Sequence, residues 1–174
     1  MCIRDSAISV HSVAVEDDYF TAVDDLNDGL DDRGASHIGE SGFAAALFYS
    51  YICIDKELLV ENLAGDLELA NKAIAALVEA AVKVSPKGKQ NSFASRAYAS
   101  FVLAEKGNQQ PRSLSVAFLK PVFGDDQAAE AISKLQQQVA NFDRVYGPCA
   151  DSRAELNAVT GEGNFNELVA FIAD

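Results

Sequence analysis

Residues 17–39 read DDYFTAVDDLNDGLDDRGASHIG. An adjacent Tyr19–Phe20 pair sits among carboxylates and is followed by glycines. The segment is too acidic for a core and too aromatic for an ordinary linker. Three readings fit it: a metal loop, a disordered acidic segment, or an exposed hairpin that presents its rings to a partner. The flanks carry strand signals. Ala7–Val15 (AISVHSVAV) is rich in β-branched residues and alternates at Ile8 and Val10, which predicts a strand. Gly39-Glu-Ser-Gly42 reads as a turn, and Phe43–Ile54 (FAAALFYSYICI) reads as a second strand, apolar on both faces and therefore interior.

Helices follow. Asp66, just after Gly65, predicts an N-cap for a helix with Leu67, Ala70, Ile74, Leu77, Val78, Ala81 and Val82 at helical spacing. Ser85-Pro86-Lys87-Gly88 stops it, and Tyr98–Ala104 predicts another strand, so residues 43–104 read as a βαβ unit. Ser113–Leu119 is either alternating or a helical turn. Ala128–Tyr146 reads as a helix ended by Gly147-Pro148, and Asn164 caps a terminal helix to Ile172.

The 174 residues suit one domain or part of one, and 49% apolar content excludes wholesale disorder. No apolar run reaches the roughly 18 to 20 residues that span a bilayer, so a cytoplasmic protein is expected. Cys2, Cys53 and Cys149 are far apart, which predicts neither a disulfide framework nor a zinc site. His11 and His37 lack ligand spacing and read as structural. Asp24, Asp28 and Gly29 match three EF-hand positions, but Leu26 and Ala35 stand where further ligands are required. Nucleophile-elbow, Walker and zinc-helix motifs are absent, so neither catalysis nor a cofactor is expected.

The net charge of −12 hides an asymmetry. Lys83–Lys120 holds seven bases (Lys83, Lys87, Lys89, Arg96, Lys106, Arg112, Lys120) against Glu105 alone, a local +6 that leaves −18 elsewhere. Glu16–Asp32 holds eight acids and no base. Within the basic window, SPKGKQNSFASR (85–96) is a Pro-Gly loop whose Lys87, Lys89 and Arg96 can approach phosphates, with Gln90 and Asn91 as neutral donors. An exposed turn with incidental lysines is the bland alternative.

Five stretches together resemble the CasC-type backbone subunits of type I-E CRISPR Cascade complexes. They are D-Y-F-T-A-V-D-D-L (18–26), A-S-H-I-G (35–39), F-x-x-x-x-F-Y-x-Y-x-x-I-D (43–55), E-N-L (61–63) and K-x-K-Q-N-S-F-A (87–94). The resemblance runs from Ala7 onward and corresponds to the C-terminal half of such a subunit. Met1–Ser6 (MCIRDS) resembles a translated sequencing adapter and is expected to be non-native. Without an N-terminal half, unpaired strand edges imply poor folding of the isolated chain.

The implied fold is α+β: a partial ferredoxin-like (RNA-recognition-like) domain with an inserted β-hairpin thumb, about residues 8–42, and added helices. The implied partners are CRISPR guide RNA, target DNA through that guide, further copies of the chain and other Cascade subunits. The implied role is non-catalytic. Family members carry Trp-Phe-Thr on the thumb as a wedge at a displaced nucleotide; Tyr19, Phe20 and Thr21 stand in those places. Lys87, Lys89 and Gln90 match the family's loop after the helix and, with Arg96, are assigned to RNA contact. Two other classes stay open: a protein–protein docking module using the acidic-aromatic hairpin, and a divalent-dependent enzyme using Asp24 and Asp25.

Overall fold

The computed structural model describes residues 2–4, 6–22, 37–85, 87–88 and 90–174, with backbone alone at 2–4, 22, 37, 38, 92 and 93. The elements are β1 (Cys2–Arg4), β2 (Ile8–Ser9), β3 (Glu16–Ala22), β4 (His37–Phe43), β5 (Phe48–Tyr49), β6 (Ile52–Ile54), α1 (Lys56–Asn62), α2 (Leu67–Lys83), α3 (Gln90–Phe93), β7 (Phe101–Lys106), a 3₁₀ turn (Ser115–Phe118), α4 (Gln127–Tyr146), β8 (Ser152–Asn157) and α5 (Phe165–Ala173). The strands form two-stranded antiparallel ladders: β1–β6, β2–β5, β3–β4 and β7–β8. The fold is mixed α/β.

Local signals hold where one side chain decides the outcome. Asp66 Oδ1 accepts the Leu69 N–H at 2.9 Å and opens α2. Asn164 Oδ1 accepts the N–H groups of Asn166 (2.9 Å) and Glu167 (3.2 Å) and opens α5. Gly147, at φ +87°, closes α4. Such caps satisfy amide donors that a helix start leaves orphaned.

Non-local pairing overturns four other readings. The βαβ unit does not form, because β6 and β7 lie in different ladders and every ladder is antiparallel. Phe43–Ile54 is not one strand: Phe43 ends β4, and β5 and β6 pair with β2 and β1. Gly39-Glu-Ser-Gly42 lies inside β4 rather than in a turn. Tyr98 precedes β7, which runs on to Lys106. Ser113–Leu119 resolves to the 3₁₀ turn.

The core is assembled around α4. Leu114, Leu135 and Val139 are buried against Tyr49, Phe101, Leu103, Phe118 and Phe142. Val10, Val122 and Ala131 form a second cluster that shares Tyr49 and Phe118. The Tyr49 hydroxyl accepts the Leu114 N–H at 2.9 Å, which satisfies a polar atom between the two clusters. His11 has a structural place at the start of this layer: Nε2 accepts the Leu47 N–H at 3.1 Å and Nδ1 donates to the Ser12 carbonyl at 2.8 Å.

An ion-pair quartet ties β7 and β8 to α4. Glu105 accepts from Arg112 Nη1 (2.6 Å) and Nη2 (3.1 Å) and from Arg153 Nε (2.6 Å). Arg153 also grips Asp143 through both terminal nitrogens, at 2.5 and 2.8 Å. The hydrogen bond from Arg153 holds Asp143 far below the usual carboxylate range, at about 2. Burial opposes ionisation of Glu105, but its two arginines outweigh burial and lower its pKa.

Gly163 marks the junction of β8 and α5. It sits at φ +84°, and a Cβ there would lie 2.5 Å from the Glu155 carbonyl oxygen. Gly163→Ala should therefore cost about 2 kcal/mol, combining left-handed backbone strain with a backbone clash. A chemical-denaturation midpoint measures it, with Gly161→Ala as the comparison that keeps the strain (φ +78°) without the clash.

Candidate nucleic-acid interface

The opening segment does form a hairpin. β3 and β4 pair Tyr19 with Glu40, Phe20 with Gly39 and Thr21 with Ile38. Residues 16–21 are all exposed, so both faces of the hairpin meet solvent instead of a core. The ladder begins at Glu16, and Ile8–Ser9 belongs to another ladder. Residues 23–36, including Asp24, Asp25 and Asp28, lie outside the described residues.

Strand alternation separates the two rings. Tyr19 and Thr21 share one face with Asp17 and Glu40, while Phe20 points to the other. Tyr19 is 64% exposed. Phe20 lies flat against its cross-strand partner, where a Cβ on residue 39 would overlap its ring. A glycine covered by a cross-strand aromatic is a recurrent way of holding a ring in place on a ladder. Gly39→Ala should lift the Phe20 ring and loosen the hairpin by about 1 kcal/mol. Faster amide exchange confined to β3 and β4 would show it; unchanged exchange would mean that the ring contact does not hold the hairpin.

The second candidate element is the loop between α2 and β7. α3 is a single turn, and Gln90 Nε2 donates to the Ser95 carbonyl at 3.1 Å, closing it. One N–H of the Gln90 amide is thus engaged inside the loop. Lys87 and Arg96 are exposed, while Lys89 lies outside the described residues.

Three bases of the +6 window are engaged by partners within the fold. Lys83 pairs with Glu79 at 2.9 Å and stands 3.9 Å over the Phe165 ring. Lys106 donates to the Phe171 carbonyl at 3.1 Å. Arg112 belongs to the quartet. Sequence counting could not separate these engaged bases from Lys87, Arg96 and Lys120. The described residues hold no His, Cys, Asp or Glu cluster suited to a metal ion, and none of their helices is long and apolar enough to cross a membrane.

A family profile described as CT1975-like protein matches residues 5–170. The chain belongs to the CT1975-like family. This CT1975-like chain is similar to a solved chain titled "CRISPR RNA-guided surveillance complex", with 27% identity and a TM-score of 0.83 over 99% of its own length. It is equally similar in fold to one titled "CRISPR RNA-guided surveillance complex, pre-nicking", with 26% identity and a TM-score of 0.83. It spans 69% of the first chain and 54% of the second. A search of curated proteins gave no match.

Proposed function

We propose that the chain is an RNA-binding backbone subunit of a CRISPR interference complex of the type I-E Cascade kind. Its ferredoxin-type core corresponds to the C-terminal half of such a subunit. Copies polymerise along a CRISPR guide RNA. Each holds the RNA backbone with Lys87, Lys89 and Arg96 and lays its β3–β4 hairpin across a neighbour. The guide then pairs with target DNA in short segments. Sequence specificity belongs to the guide and the protein reads shape and charge. The chain is non-catalytic in this role, which is carried out in the cytoplasm.

The carrying observation is the likeness in fold to chains of RNA-guided surveillance complexes over 99% of this chain. The exposed hairpin supports it. An isolated two-stranded ladder is marginal in water, so a hairpin with solvent on both faces gains its stability on docking. Because Tyr19 and Phe20 face opposite ways, only one ring can enter a given base step.

Co-expression with a CRISPR array and the remaining Cascade subunits tests the reading. The chain should co-purify with guide-length RNA and detach as salt is raised. Salt-insensitive capture by a protein partner with no RNA would instead favour the docking module.

A further inference from the structure

The segment between α2 and β7 has a feature that neither the core nor the phosphate-contact assignment uses. Tyr98 is 71% exposed. Residues 84–104 contain no Asp or Glu, while Lys87, Lys89 and Arg96 all lie within them. The ring is not on a loose tip. The adjacent Ala99 N–H donates to the Val82 carbonyl at 2.9 Å, and the Ser100 carbonyl accepts the Ala158 N–H at 2.8 Å. These bonds anchor the backbone beside the ring to α2 and to the end of β8.

Single-stranded nucleic acids are held by this combination: cations that track the phosphates, and an aromatic face on which a base stacks. Tyr19 is placed differently, opposite Glu40 and among Asp17 and Asp18, whose charges repel phosphate. We propose that Tyr98 is a stacking platform for one base of a bound single-stranded RNA whose backbone is held by Lys87 and Arg96. This inference rests on the RNA-binding reading above and adds a contact to it. Stacking is sequence-tolerant, because every base offers a π-face.

The test titrates the chain into a labelled single-stranded RNA. Tyr98→Ala should weaken binding about 10-fold and leave the salt slope unchanged, and Tyr98→Phe should bind like the parent. Lys87→Ala should instead lower the slope by about 0.7. The chain has no tryptophan, so Tyr98→Trp introduces the sole indole, and its emission should be quenched on RNA addition. Parent-like affinity in Tyr98→Ala with no quenching in Tyr98→Trp, while Lys87→Ala still weakens binding, overturns this inference and leaves the RNA-binding reading standing. No RNA binding by the parent chain overturns both.

Discussion

Replacing Lys87, Lys89 and Arg96 together by Ala should weaken single-stranded RNA binding roughly 50-fold near physiological salt, and should make the log–log salt slope shallower by about 2. Each phosphate contact on a single strand releases about 0.7 of a counterion, so three lost contacts give that slope. The structure supplies the control. Lys83, Lys106 and Arg112 belong to the same basic window but are held by Glu79, the Phe171 carbonyl and the Glu105–Asp143 pair. Lys106→Ala should leave the slope within experimental error of the parent. An equal effect from both sets would mean that bulk charge, and not this loop, holds the RNA.

Glu105→Gln should destabilise the fold by about 2 kcal/mol. The amide cannot balance Arg112 and Arg153, whose side chains are only 18% and 29% exposed. Fully buried pairs lose about 3 to 5 kcal/mol when one partner is removed, and residual exposure here reduces that. The quartet also sets an acid limit. Asp143 has its pKa lowered from 3.8 to about 2, so the native state favours the ionised form. Its contribution is complete above the unfolded value and is lost as pH falls from about 4 to 2. Asp143→Asn should therefore lower stability at pH 7 and flatten its dependence on pH across that window. Denaturation midpoints between pH 2 and 7 read both effects.

The quartet also shows where sequence reading stops. β8 (SRAELN) carries two charges in six residues, and its apolar alternation is only the Ala154–Leu156 pair, too short to announce a strand. It is a strand because it pairs with β7, and Arg153 reaches Glu105 across that ladder. That partner lies 48 residues away, beyond any local pattern. Helices α2, α4 and α5 were legible because Asp66, Gly147 and Asn164 act within a turn of their own position, whereas the short α1 and α3 went unread. Gly39 and Gly42 misled for a related reason. A glycine pair suggests a turn, yet Gly39 lies in a strand and accommodates the Phe20 ring.

The candidate site divides in the same way. The acidic setting of Tyr19 and Phe20 left three readings open, and the hairpin among them was singled out by the family resemblance. That they face opposite ways follows only from strand alternation once the strand is known. The basic window was countable, but which cations were engaged depended on partners in distant elements. The sequence pattern makes Tyr98 the start of a strand, whereas its exposure is visible only in the fold.

In the proposed role, multiple copies bind one RNA. Sedimentation of the chain with single-stranded RNAs of increasing length tests this directly. Several copies per RNA are expected, their number rising in proportion to RNA length. One copy per RNA whatever its length, or no association, would contradict it.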